Sequence, residues 1–145
     1  MTNPSTGFKK APQGEHTNLA GIPVSSIMTP SPTTVRSNAE VKAAIRILVN
    51  RKITGVPVVN EKNQLVGVVS ENDLLLLAAS GSMSRPLQYT KNPDFVRAKT
   101  TLKEALIKMI QLKRKWFPVL DDTNKIIGII ARCDLLKVLL EKDTE

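Results

Sequence analysis

Apolar and polar positions follow one plan along residues 33–79 and repeat it along 94–140. Thr33-Thr34-Val35 reads as a short strand. Ser37, with Glu40 three residues on, has the spacing of a capping box and predicts a helix start. Val41, Ala44, Ile45, Leu48 and Val49 recur at helical spacing and predict that helix's buried face. Gly55 and Pro57 punctuate a second strand, Ile53–Val59. Asn60-Glu61-Lys62-Asn63 is turn chemistry leading into a third strand, Gln64–Val69. Ser70 then caps a second helix through Leu74–Leu77. Downstream, Asp94–Arg97 reads as strand and Leu102, Ala105, Leu106, Met109 and Ile110 as a helix face. Trp116–Leu120 and Lys125–Ile130 pair around Asp121-Asp122-Thr123-Asn124, and Asp134–Leu140 forms the last helix.

The order β-α-β-β-α therefore occurs twice, and residue identities confirm a duplication. At an offset of 61 residues Thr29 falls on Thr90, Pro32 on Pro93, Arg36 on Arg97, Pro57 on Pro118, Gly67 on Gly128 and Asp73 on Asp134. About 14 of about 50 ungapped positions are identical, and most others exchange one aliphatic residue for another. One copy cannot bury its sheet and both helix stripes alone, so the copies are expected to pair about a pseudo-twofold axis. The expected organisation is a disordered tail at 1–21, repeats at 22–79 and 85–140, a linker at 80–84 and a short tail at 141–145. The fold class is α+β, two β-α-β-β-α units with small mixed sheets packed with helices.

Composition narrows the chemistry. Hydrophobic residues make up 41% of the chain and charged residues 23%, the balance of a globular protein. The longest apolar run, Leu74–Ala79, is far short of the roughly 20 residues that span a bilayer. Cys133 and His16 are the sole cysteine and histidine, so an internal disulfide, a Cys-rich metal site and a His-based triad are out of reach. No signal peptide is legible at residues 1–20, and a cytoplasmic or other intracellular location is expected. The net charge of +8 favours anionic partners without choosing among them.

Three strings carry a family resemblance. Ile27-Met28-Thr29-Pro30-Ser31-Pro32, then Ile53-Thr54-Gly55-Val56-Pro57-Val58-Val59, then Gly67-Val68-Val69-Ser70-Glu71-Asn72-Asp73-Leu74 resemble a cystathionine-β-synthase (CBS) domain. The second copy, through Phe117-Pro118-Val119-Leu120 and Gly128-Ile129-Ile130-Ala131-Arg132-Cys133-Asp134-Leu135, resembles another. Together they look like a tandem pair, the Bateman module. The resemblance implies a regulatory unit that binds AMP, ADP, ATP or S-adenosylmethionine, with or without Mg²⁺, in clefts between the copies. It also implies a homodimer. With the pair nearly filling the chain, the regulated partner is expected to be another protein.

Ser70 and Asp73 have capping-box spacing. The same helix start could face a phosphate, with Asp73 accepting from ribose hydroxyls. In the second copy the cap position is Ala131, so the box is broken, yet Asp134 remains; an Asp kept for ribose would remain there, and the plain reading stays open beside it. The resemblance implies an adenine slot at the second strand, and alternation allows it. Gly55 and Pro57 are expected to face a cleft where a flat base fits against Ile53 and Pro57, its edge read by backbone groups of Thr34 and Thr54, unless Gly55 and Pro57 simply shape a strand end. Pro118 is the equivalent of Pro57. Trp116 aligns with Gly55; it would either stack on a base or fill the second slot. Lys115 and Arg132 are candidate phosphate contacts, though basic runs also form solvated helix ends. The asymmetry predicts a ligand in the cleft of Asp73 and a weaker or absent one near Asp134.

These features favour a non-enzymatic sensor of adenosine-containing ligands that acts on a partner protein. A nucleic-acid-binding adaptor, motivated by the charge and the Lys113-Arg114-Lys115 run, and a ligand-free dimerisation scaffold are the alternatives. No P-loop, no Gly-rich dinucleotide fingerprint and no nucleophile–histidine pair is present in the sequence.

Overall fold

The computed structural model describes residues 18–143. The first repeat contains β1 (Thr29–Pro30), β2 (Val35–Arg36), α1 (Val41–Arg51), β3 (Gly55–Val59), β4 (Leu65–Ser70) and α2 (Glu71–Ala79). The second contains β5 (Thr90–Lys91), β6 (Val96–Arg97), α3 (Leu102–Leu112), β7 (Trp116–Leu120), β8 (Ile126–Ala131) and α4 (Arg132–Lys142). Most of the expected N-terminal tail, and the last two residues of the C-terminal one, lie outside the described residues. The part of the N-terminal tail that is described is not coil. Leu19–Gly21 forms a 3₁₀ turn, and Leu19 and Ile22 pack on the core of the second repeat.

Two four-stranded sheets result, in the orders β2-β3-β4-β5 and β6-β7-β8-β1. Strands β1 and β5 were not expected from sequence, and each crosses to the other repeat. Thr90 and Lys91 pair antiparallel with Val68 and Gly67, while Thr29 and Pro30 pair with Ile129 and Gly128. Each repeat thus completes its neighbour's sheet and covers an edge that would otherwise stay open. The positive-φ residues keep the same register: Ser31 with Asn92, Lys52 with Lys113, and Asn63 with Asn124, each 61 residues apart. At the seam the exchange is reciprocal, with the Leu65 amide donating to Asn124 O and the Ile126 amide to Asn63 O, both at 3.0 Å. Val59, Leu120 and Ile126 form a small apolar cluster near that seam, between the two larger cores.

Three local expectations need correction. Helix α1 does not begin at Ser37 with a Ser37/Glu40 box. The Ser37 amide still donates to Val59 O beside β3, and Glu40 occupies the N-cap without a side-chain bond. The Val41 and Lys42 amides are instead satisfied by the carbonyls of Arg85 and Met83, at 3.0 and 2.9 Å. In the second copy a true capping box does the work: Thr101 Oγ1 accepts from the Glu104 amide, and Glu104 Oε1 accepts from the Thr101 amide. Second, Pro57 does not face a cleft but is buried, because β3 is covered on both faces. Strand β2 pairs only with Val58 and Val59, so the missing N–H of Pro57 costs no ladder bond on that side. Third, Val49 and Ile110, assigned to the buried helix faces, are 67% and 65% exposed. The inward stripe is narrower, Val41, Ala44 and Leu48 on α1 and Leu102, Ala105 and Met109 on α3.

Candidate functional site: a cleft built by both repeats

A cleft of about 590 Å³ opens at the start of α2. The first repeat contributes Thr54, Gly55, Ser70 and Asp73. The second contributes Thr90, Asn92, Pro93 and Asp94, the Lys113–Lys115 loop and the start of β7 at Trp116. The crossing of β5 onto β4 brings these together, since it carries Thr90 and the residues after it over the N-terminus of α2.

Asp73 is fixed at the helix start. Its Oδ2 accepts from the Ser70 amide and from Ser70 Oγ, both at 2.9 Å, while Ser70 Oγ accepts from the Asp73 amide at 3.2 Å. The capping box is thus complete. The Glu71 amide donates to Thr54 O at 2.9 Å, so little of the helix N-terminus is left for an anion. The Asp73 carboxylate keeps its second oxygen, Oδ1, unused by the cap. Across the cleft Arg114 Nε donates to Asp94 Oδ2 at 2.9 Å, and this pair neutralises itself. Lys113 and Lys115 line the same space with no carboxylate partner among the described residues.

The candidates divide differently from the sequence expectation. Asp73, Ser70, Thr54, Gly55, Lys115, Trp116 and Pro118 line this one cleft. Trp116 was assigned to the slot of Asp134 and belongs instead beside Asp73, because the pseudo-twofold axis sets the start of β7 against the start of β3. Ile53 turns away into an apolar groove between α1 and α2, with Ile45, Leu48 and Leu75. Thr34 and Pro57 line neither space. The proposed slot of Ile53, Pro57 and Thr34 is therefore not assembled around Gly55. Asp134 has not lost its capping role: its Oδ2 accepts from the Ala131 amide at 2.7 Å, half of a box that needs no hydroxyl. Arg132 donates from Nε to Arg114 O at 3.0 Å, which ties its side chain to the preceding loop. Sequence reading missed Thr90, Asn92 and Asp94. The recurring Thr-x-x-Pro at Thr29–Pro32 and Thr90–Pro93 marked a repeated element there, without telling which sheet it joins.

The pattern described as the CBS domain matches residues 24–80 and again 87–141. The chain is a tandem pair of CBS domains. Among its relatives is the chloroplastic CBS domain-containing protein CBSX2 of Arabidopsis thaliana, 29% identical over 86% of this chain and 67% of that protein. Inosine-5′-monophosphate dehydrogenase of Aquifex aeolicus is 30% identical over 74% of this chain, which spans only 22% of that enzyme. Among solved structures, CBSX2 in complex with AMP has a TM-score of 0.71 at 31% identity, covering 86% of this chain and all of that one. The CBS domain pair of protein MJ0100, in complex with 5′-methylthioadenosine and S-adenosyl-L-methionine, has a TM-score of 0.71 at 26% identity. It covers 83% of this CBS pair and 98% of that chain. Two mixed sheets with four helices are thus the architecture this CBS pair shares with its structural relatives. Among the described residues no helix is long and apolar enough to cross a membrane.

Proposed function

We propose that this CBS pair is a non-enzymatic sensor that binds one adenosine nucleotide in the Asp73 cleft and passes its occupancy to a partner protein. The observation that carries the reading is the company Asp73 keeps. A fixed carboxylate with a free oxygen, a half-buried indole and two unpaired lysines share one space of about 590 Å³. Asp73 Oδ1 would accept from ribose hydroxyls, Trp116 offers a face for the base, and Lys113 and Lys115 meet a phosphate. Those two cations favour the anionic nucleotides AMP, ADP and ATP over S-adenosylmethionine, whose sulfonium they would repel. The AMP-bound relative CBSX2 supports the same ligand class.

The reading includes a homodimer. Leu75 on α2 and Leu136 and Leu140 on α4 are 66%, 64% and 75% exposed, and Val49 on α1 and Ile110 on α3 add to them. Apolar surface of that extent calls for a cover, and a second copy supplies it. Leu77 does not contribute, since it packs into the core of the first repeat.

A thermal-shift panel of AMP, ADP, ATP and S-adenosylmethionine, with and without Mg²⁺, tests the ligand class. Ligand at about 100 times its dissociation constant stabilises the fold by roughly 2.7 kcal/mol, a readable shift. No shift with any nucleotide would leave the pair as a scaffold and end the sensor reading.

A further inference from the structure

A second groove, of about 640 Å³, shares Asn92 and Pro93 with the Asp73 cleft and runs along the β4–β5 edge to the β7–β8 hairpin. Its lining holds two cations, Lys91 and Arg97, two aromatic rings, Tyr89 and Phe95, and the side-chain amides of Asn92 and Asn124. No carboxylate lines it, and neither cation has an acidic partner among the described residues. Arg97 is held in place rather than free to wander. Its Nη1 donates to Asp121 O at 2.6 Å, and its guanidinium lies 4.9 Å from the centre of the Phe95 ring. The rest of a five-donor fork stays available.

The other repeat lacks this arrangement, although the fold there is the same. At the equivalent positions stand Met28, Pro30, Ser31 and Thr34; of the groove's cations, rings and amides only Arg97 and Asn124 have counterparts, Arg36 and Asn63. Tyr89 packs against Gly67 where Met28 packs against Gly128, so a methionine meets the packing requirement. The tyrosine adds a ring edge and a hydroxyl that has no hydrogen-bond partner among the described residues. Tyr89 rests its ring on the core of the first repeat, but packing calls for neither its hydroxyl nor Lys91.

An aromatic ring and a guanidinium plane bind flat bases, and unpaired cations bind phosphate. We infer that this groove is a second anion site, shaped for the base and phosphate of a nucleotide unit carried by a free nucleotide or a single-stranded nucleic acid. It borders the Asp73 cleft at Asn92 and Pro93 but does not depend on that cleft binding anything.

The test uses the full chain with two probes, ATP and a labelled oligothymidylate on the order of 15 nucleotides. Lys91→Gln alters the groove alone, while Tyr89→Met, with the residue the other repeat carries, also borders the hollow that reaches Asp73. Asp73→Asn alters only the cleft. Expected for the strand is a loss of about fivefold or more with either groove variant. Lys91→Gln should also flatten the salt dependence by about 0.7 in log–log slope, and Asp73→Asn should leave strand binding unchanged. If ATP displaces the strand from the parent but not from Lys91→Gln, free nucleotide is the ligand. If ATP fails to displace it, nucleic acid is. The proposal is overturned if neither probe binds outside the cleft, or if both groove variants bind like the parent.

Discussion

Gly55 and Trp116 are the same position in the two repeats, 61 residues apart, and they meet. A Cβ on Gly55 would lie 3.4 Å from Trp116 Cζ2 and 3.6 Å from Val69 O. Equivalent residues touch only near the axis that relates their repeats, and two large side chains cannot share that spot. The pair is filled once, from the second repeat, and the indole thereby becomes a wall of the cleft that holds Asp73.

Size at position 55 should therefore be coupled to size at position 116. Gly55→Ala adds only ordinary contacts and should unfold in urea like the parent. Gly55→Leu overpacks the seam and should cost about 1–3 kcal/mol. Adding Trp116→Gly should restore part of that loss, a coupling of about 0.5 kcal/mol or more in a double-mutant cycle. Strict additivity would show that the two side chains do not compete for one space.

Trp116 is the sole tryptophan, so the cleft carries its own reporter. Nucleotide binding should change its fluorescence in a saturable way. A calorimetric isotherm accompanied by flat fluorescence would place the ligand elsewhere.

Asp73→Asn retains an acceptor for the cap but removes the charge offered to ribose. Charged hydrogen bonds are worth about 1.5–3 kcal/mol, so nucleotide affinity should fall about ten- to a hundredfold. Asp134→Asn should leave it within about twofold, less than the loss of one neutral hydrogen bond. The reverse ranking in calorimetry would assign the site to the wrong cleft.

Acid should weaken the fold through its capping carboxylates. Hydrogen bonds from the Thr101 amide and then its hydroxyl hold Glu104 below its ordinary range. The Thr123 hydroxyl, with the Thr123 and Lys125 amides, does the same for Asp121. A lowered folded-state pKa contributes stability above the unfolded value, near 4, that is lost as pH falls through the folded one. Stability should therefore decline below about pH 4, and Glu104→Gln should make the decline shallower. An unchanged slope in acid denaturation would show that the box does not titrate. Thr101→Ala should cost about 1 kcal/mol, whereas Ser37→Ala should cost little, because Ser37 caps nothing.

Covering the exposed helix faces is the basis for expecting a dimer. Leu75→Arg with Leu136→Arg should shift sedimentation from dimer to monomer without lowering the melting point of the isolated chain. A parent that sediments as a monomer at tens of micromolar would refute that expectation.

The sequence by itself determined what depends on neighbouring residues. Helix and strand periods placed α1 to α4 and the four core strands within a few residues, because periodicity reports which side of an element is apolar. Asn60 and Asp121 announced the hairpin turns that their side chains close by accepting from amides two and four residues on. Ser70 and Asp73 announced a cap that forms. The duplication and the family were legible for the same reason. Only the tertiary structure decided which residues share a cleft. Two copies of one unit offer each short strand two chemically similar sheet edges, its own and its neighbour's, and residue type does not distinguish them. The crossing of β5 brought Thr90 and Asp94 to Asp73, the pseudo-twofold axis brought Trp116, and Ile53 turned instead into the groove between α1 and α2. Burial on both faces of β3 took in Pro57, a residue that alternation alone had turned outward. Alternation counts faces along one strand, while burial depends on what the rest of the chain lays against them.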